Sequence, residues 1–351
     1  MSIKILFLSH YFHPHIGGIE TFSEVLAKAF VQAGHEVHLV TWTRENGTEK
    51  FPFEIIRNPT RRQLFHEHSW ANVVFENNPC LRLSWPAFLY RRPSVIVLQT
   101  WLAGINQGLN ISGLMKYLWL RRAKKVIAIS EAVRARCCPQ ASIIANSYNV
   151  NHFKIYAGIP RNKDFIFVGR LVSDKGAVIA IRALHQLVNE SSSMPNPRQY
   201  SLTIVGDGPE KVKLQQVVKE LKLGRYVQFE GTLTGAQLAI CLNRHKYLFV
   251  PSLWEEPFGI VALEGMACGC IPIVSDGGGL PDAVGLAGLT FKKGNVNDFV
   301  RVIKTVIDDP SVQQQLREYA GEHVSAHHPR NIAEKYLGII EDAGNVPIRL
   351  R

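Results

Sequence analysis

The hydrophobic positions of this chain fall into two alternating periods. Short apolar runs occur at KILFLS (4–9), EVHLVTW (36–42), EIIRN (54–58), NVVFE (72–76), SVIVLQT (94–100), KVIAIS (125–130) and SIIAN (142–146). Runs of this length, bounded by turn residues, predict buried strands of a parallel sheet. Between the first two lies IETFSEVLAKAFVQAG (19–34). It spaces Phe22, Val25, Leu26, Ala29 and Phe30 along one helix face and ends at Gly34. Strand, loop, helix and strand in that order imply a right-handed parallel crossover.

The pattern breaks at NSYNVNHFKIYAGIPRNKD (146–164), whose Asn, Gly and Pro content reads as a linker. It restarts with DFIFVGR (164–170), a helix over 175–190, SLTIVGD (201–207) and a helix from Glu210 to Leu221. YVQFEG (226–231), a helix near 235–244, YLFVPS (247–252), a helix near 259–268 and IPIVSD (271–276) follow, and 311–343 is largely helical. No fixed-period repeat is present. The prediction is an α/β chain of two Rossmann-like doubly wound domains, residues 1–150 and 151–323, facing a central cleft. Residues 324–351 form a helical segment that packs back on the first domain. Ligands of such sheets sit at the carboxyl ends of the strands.

Composition narrows the class. With 351 residues, 46% hydrophobic and 20% charged, the chain is long enough for two cores and is not disordered. No apolar run reaches the roughly 18 residues of a transmembrane helix, and MSIKILFLSHYF reads as a first strand, not a signal peptide. Cys80, Cys137, Cys138, Cys241, Cys268 and Cys270 lack zinc-type spacing, so they are expected as reduced apolar filler in a cytoplasmic protein.

Charge adds a second distinction. Of the net +11, residues 1–150 carry 17 Lys/Arg against 9 Asp/Glu, with no aspartate, whereas residues 151–351 carry 23 against 20. The first half therefore expects an anionic partner: nucleic acid, an anionic membrane surface or a phosphorylated substrate. Nothing resembles a recognition helix or an aromatic platform, so nucleic acid is not the expected partner. In LNISGLMKYLWLRRAKK (109–125), Leu114, Tyr117 and Leu118 precede Arg121, Arg122, Lys124 and Lys125. That fits a helix lying on an anionic membrane. A core helix with a solvated basic end fits equally.

The candidate chemistry concentrates in WEEPFGIVALEGMACGCIPIVSDGGGLPDAV (254–284). Pro257 favours a turn, which puts Glu256 in a loop and Glu264 inside the following helix. The amides of Phe258, Gly259 and Ile260 then face out at a helix N-terminus, ready for hydroxyls or an anion. Glu264 could accept two hydrogen bonds from a ribose diol. In FVGRLVSDKG (167–176), Arg170 and Lys175 stand at a strand-to-helix junction suited to a diphosphate. IVGDGPE (204–210) lacks the third glycine of a dinucleotide fingerprint.

Taken in order, GGIE (17–20), FVGRLVSDKG, IVGDGPE, FEGTL (229–233) and EPFGIVALE with ACGCIPIVSDGGG resemble glycosyltransferase family 4, retaining enzymes of the GT-B fold. The resemblance implies a nucleotide-sugar donor, UDP-linked in preference to GDP-linked, and a saccharide or lipid-linked acceptor held by the N-terminal domain. It implies that Arg170 and Lys175 bind the diphosphate and Glu264 the ribose. Glu256 and the Phe258–Ile260 backbone would hold sugar hydroxyls, Gly17 and Gly18 would close on the diphosphate, and the base would lie near Gly231 and Leu233. Front-face substitution needs no enzymic nucleophile. The chain has no D-x-D motif, so neither a divalent metal nor another cofactor is implied, and Asp308-Asp309 reads as part of an unrelated loop. Where many relatives place a histidine, this chain has Gln99, which can hydrogen-bond a sugar but cannot titrate near neutrality. An epimerase of the same fold is the competing enzyme class.

The loop SHYFHPHIGGIETF (9–22) is also rich in histidine, with His10, His13 and His15. A zinc site there would need further ligands that the sequence does not supply nearby.

Overall fold

The computed structural model describes residues 2–15, 17–45, 49–102 and 111–344. Ile16 of the histidine-rich loop, Leu109 and Asn110 of the basic stretch, and residues 345–351 of the C-terminal segment lie outside the described residues. The chain divides into two compact units, Met1–Ser147 with Pro329–Arg351, and Tyr148–His328.

In the first unit the order is β1 (Lys4–Ser9), α1 (Gly18–Gln32), β2 (Glu36–Thr41), β3 (Glu54–Arg57), α2 (Arg61–Trp70) and β4 (Val73–Asn77). Then come α3 (Leu81–Ser84), α4 (Ala87–Tyr90), β5 (Ser94–Leu98), α5 (Ile111–Leu120), β6 (Lys125–Ala128), α6 (Glu131–Cys137) and β7 (Ser142–Ile143). The seven strands pair in the order β3-β2-β1-β4-β5-β6-β7, all parallel. Strand order reverses between β1 and β4, which opens a crevice at their carboxyl ends.

The second unit runs β8 (Lys163–Val168), a 3₁₀ turn (Ser173–Lys175), α7 (Ala177–Ser192), β9 (Leu202–Val205), α8 (Lys211–Glu220), β10 (Val227–Gly231), α9 (Gly235–Asn243) and β11 (His245–Val250). It continues α10 (Ile260–Ala267), β12 (Ile271–Ser275), α11 (Leu280–Val284), β13 (Leu289–Phe291), α12 (Val296–Asp308) and α13 (Pro310–Ala326). Its strands pair in parallel as β10-β9-β8-β11-β12-β13, with the reversal between β8 and β11.

The last helix, α14 (Pro329–Gly344), belongs to the first unit. Ile332, Ala333, Tyr336 and Ile340 form its buried stripe, and the Tyr336 ring meets Phe22 of α1 at 5.6 Å and Phe75 of β4 at 5.9 Å. Phe75 also meets Phe7 at a tilt and Phe30 edge to face, so α14 completes an aromatic core begun by β1, α1 and β4.

Several elements depart from the pattern reading. The helix expected from 175 begins at Ala177, because Gly176 adopts φ +73°, and a Cβ there would sit 1.9 Å from the Pro251 carbonyl oxygen. SIIAN pairs only through Ser142 and Ile143. Asp308-Asp309 is not a loop: Asp308 ends α12 and Asp309 caps α13, accepting the Ser311 amide at 2.8 Å. Helix α2 escaped detection because RRQLFHEHSW has little apolar periodicity. Its signal lay in the capping box, in which Thr60 Oγ1 accepts the Gln63 amide and Gln63 Oε1 accepts the Thr60 amide. All six cysteines are unpaired and buried.

Candidate functional site

The second unit's reversal point lies between the loop after β8, residues 169–176, and the loop after β11, residues 251–259. The two loops are fastened together. The Asp174 carbonyl accepts the amides of Leu253 at 2.7 Å and Trp254 at 3.1 Å, and Ser252 Oγ sits 3.0 Å from both that carbonyl and Glu256 Oε1. The absence of a side chain at Gly176 lets the first loop approach Pro251 closely enough for this.

Across the junction Lys175 Nζ donates to Glu256 Oε1 at 2.5 Å and lies 5.5 Å over the Trp254 ring. Both side chains are largely shielded, 21% and 13% exposed, so the pair is a fixed feature and not a surface contact. Arg170 leaves β8 exposed, and no ion pair engages it among the described residues.

Gly259, at φ +119°, starts α10, and a Cβ there would lie 2.5 Å from Leu280 Cδ2. Buried Phe258 anchors the turn, and the first amides of α10 have no intrahelical partner. Gly278, at φ +63°, brings the glycine-rich loop after β12 onto the same turn, where the Glu256 carbonyl accepts the Gly279 amide at 2.7 Å. Lys293 pairs with Glu255 on its far side.

Glu264 stands on the second turn of α10. No side-chain hydrogen bond engages it among the described residues, and desolvation alone pushes its carboxyl up to about 8. A desolvated carboxyl with open acceptor positions is the group a diol would satisfy. Gly231 closes β10 at φ +71° with its carbonyl accepting the Gly206 amide at 2.7 Å, and Leu233 is half-buried just beyond.

The structure thus gathers Arg170, Lys175, Glu256, Phe258, Gly259, Ile260 and Glu264 around one reversal point. Gly17, Gly18 and Gln99 stand on the first unit. Gly17 precedes α1 in extended conformation, φ −165°, so its backbone does not require glycine; a Cβ would instead crowd the Glu20 carboxylate. Gln99 follows β5, is 6% exposed, and its Nε2 has no hydrogen-bond partner among the described residues. His13 and His15 do not converge: Nε2 of His13 faces Glu49 at 3.6 Å and Nε2 of His15 faces Glu45 at 3.7 Å. Pattern reasoning missed Asp174, Ser252 and Trp254. Their only sequence signal was adjacency to the glutamates and to Lys175.

Residues 151–323 match the family described as Glycosyl transferases group 1. Glycogen synthase of Mycobacterium tuberculosis is 26% identical over 283 residues, covering 76% of this chain and 65% of the relative. The 2-deoxystreptamine glucosyltransferase of Streptomyces kanamyceticus is 31% identical over 202 residues, covering 54% and 50%. The chain therefore spans 65% or less of these relatives' length. Among solved structures, Anabaena Alr3699/HepE in complex with UDP superposes with TM-score 0.80 at 22% identity, covering 97% of this chain and all of that one. Sucrose-phosphate synthase from Thermosynechococcus elongatus superposes with TM-score 0.76 at 22% identity, covering 97% and 98%. The two parallel α/β units are those of the GT-B fold, and residues 151–323, just under half of the chain, match the Glycosyl transferases group 1 family.

Proposed function

We propose that the chain is a retaining, metal-independent hexosyltransferase. It moves glucose or a related hexose from a UDP-linked donor to a saccharide or lipid-linked saccharide in polysaccharide biosynthesis. The observation that carries this reading is the junction of Lys175 with Glu256 at the reversal point, beside the open N-terminus of α10. Diphosphate binding uses Lys175 and the exposed fork of Arg170, whose charges grow in value as the leaving group becomes more anionic. Glu256, held by Ser252, is left to accept sugar hydroxyls, and Glu264 accepts the ribose diol. The leaving diphosphate takes the acceptor proton, which explains why no buried acid-base pair is needed at this point. Gln99 serves as a neutral hydrogen-bonding group for a sugar hydroxyl, Gly17 and Gly18 as diphosphate contacts, and Gly231 and Leu233 as backbone contacts to the base. The relatives' names agree with this reading: one structure is a complex with UDP, and one relative is a glucosyltransferase.

The same proposal places the protein in the cytoplasm, with peripheral contact at the inner membrane face. No helix among the described residues is long and apolar enough to cross a membrane. Phe88, Leu89, Leu114, Met115 and Leu118 are each more than half exposed, and the Arg122 guanidinium lies 5.0 Å over the Phe88 ring. Apolar side chains rimmed by cations suit an anionic interface.

The test is a panel of UDP- and GDP-sugars, read for hydrolysis and for transfer to added saccharides with anomeric configuration followed by NMR. Retention with a UDP-hexose supports the proposal. Rapid formation of the 2-epimer without acceptor would falsify it in favour of the epimerase.

A further inference from the structure

At the reversal point of the first sheet, the groups without partners among the described residues include two cations, the Gln99 amide nitrogen and one buried acceptor, Asn77 Oδ1. Ser9 of β1 is in register with Asn77 of β4, and Asn77 with Val97 of β5. His10, Asn78 and Gln99 therefore emerge beside one another, and Asn78 Oδ1 accepts the Gln99 amide at 3.3 Å. His10 Nδ1 lies 3.5 Å from Cys80 Sγ, which sets the start of α3, and with it exposed Arg82, beside the β1 loop. Helix α5 reaches the same end of the sheet, since Trp119 Nε1 donates to Glu76 Oε1 at 2.9 Å. Lys116 lies one turn earlier on that helix.

The charges of Arg82 and Lys116 both reach His10: burial first, then these two cations, hold its imidazole below the ordinary range. Neither cation has an ion-pair partner among the described residues, and the sequence has no Asp or Glu between Asn77 and Ser130, against eight Lys/Arg. Glu76, a carboxyl at the same end of the sheet, is fully buried, is pushed up by burial, and already accepts from Ser84 Oγ at 2.6 Å and from Trp119. Two cations that both act on one imidazole without a counter-charge leave a positive field around it, and an anion bound there relieves that cost. Gln99 Nε2, buried and without a hydrogen-bond partner among the described residues, adds a neutral donor at the same end of the sheet.

We propose that the acceptor taken by this unit carries a phosphate group, held between Arg82 and Lys116, with Gln99 Nε2 donating to a neighbouring acceptor oxygen. This rests on the transferase reading for the word acceptor, but the phosphate site stands on its own geometry. The phosphate belongs either to a soluble sugar phosphate or to a lipid headgroup.

The experiment is titration calorimetry of the full chain with glycerol 3-phosphate, using glycerol as the uncharged control. The expected result is saturable binding of glycerol 3-phosphate and none of glycerol. It should be weakened about tenfold or more by Arg82→Gln or Lys116→Gln and retained in Lys175→Ala. Binding that survives the Arg82→Gln/Lys116→Gln double variant, or disappears in Lys175→Ala, overturns the proposal by placing the phosphate elsewhere; so does no binding by wild type to glycerol 3-phosphate or to vesicles. A parallel arm sediments the protein with phosphatidylcholine vesicles with and without phosphatidic acid. Phosphatidic-acid-dependent binding lost in the double variant identifies a headgroup, and a response to glycerol 3-phosphate alone identifies a soluble phosphate. If phosphate binding follows the expected pattern while no nucleotide sugar is turned over, the transferase reading fails and the phosphate site does not.

Discussion

The two sheets have reversal points of the same topology but of opposite chemical character. At β8/β11 the backbone does most of the work: glycines at positive φ let three loops touch, carbonyls and amides lock them, and Lys175 and Glu256 neutralise one another. At β1/β4 the connections, 10–17 and 78–80, are shorter together, the first is aromatic, and Arg82 and Lys116 on the nearby helices α3 and α5 have no ion-pair partner among the described residues. The first arrangement is preorganised, and a ligand only has to exchange one partner for another. The second is poised electrostatically, so the ligand itself supplies the missing charge. A nucleotide donor common to many enzymes suits the former, and an acceptor particular to one enzyme suits the latter.

The comparison can be strained first at the fold. Tyr336→Ala removes the ring by which α14 completes the first core and should cost about 3–5 kcal/mol. Calorimetric unfolding should show the loss in the transition of the first unit while UDP binding by the second persists. Tyr336→Phe, which deletes a buried hydroxyl without a partner among the described residues, should be neutral or stabilising.

Next in size is Gly176→Val. A side chain there meets the Pro251 carbonyl in a left-handed backbone conformation, so the β8 and β11 loops must separate. A loss of about 2–3 kcal/mol in thermal stability, together with strongly weakened UDP binding, is expected. The matching change at Gly17, whose backbone is extended, should cost well under 1 kcal/mol on the same thermal scan.

Glutamate 264 offers a pH test. Its carboxyl is raised to about 8, above its unfolded value, so the folded free protein holds a proton that the unfolded chain has released. Between the unfolded value and about 8, its contribution to the stability of the free protein therefore falls as pH rises. On the proposed role, in which the ionised carboxylate accepts from both ribose hydroxyls, UDP affinity should rise several-fold from pH 6.5 to 9, and Glu264→Gln should flatten that rise in titrations.

The smallest effect expected is at the exposed apolar face. Leu114→Ser with Leu118→Ser should reduce sedimentation with anionic vesicles severalfold and leave UDP binding unchanged.

How much the sequence disclosed follows the same division. The strand-glycine-helix junctions of the second unit were readable because backbone geometry there restricts residue type: Gly176 and Gly278 occupy positions a side chain cannot share. Glu256 in a loop and Glu264 on a helix followed from Pro257. The closure of Asp174 on the β11 loop was not readable, since a backbone carbonyl carries no signature of its partner. In the first unit, Arg82, Lys116 and His10 lie far apart in the chain, and it is strand register with the His10–Cys80 contact and the Trp119–Glu76 bond that relates them. Helix α12, with Phe299, Val300, Val302, Ile303, Val306 and Ile307 buried, did carry a helical pattern but sat beyond the last strand that the alternation had traced.

The central claim is that the β8/β11 reversal point binds the nucleoside diphosphate of a sugar donor. Titration calorimetry of UDP into wild type, Lys175→Ala and Glu264→Ala tests it most directly. The account predicts saturable binding by wild type and a loss of about tenfold or more in each variant, with both variants still folded by circular dichroism. Unchanged UDP affinity in both folded variants would contradict it.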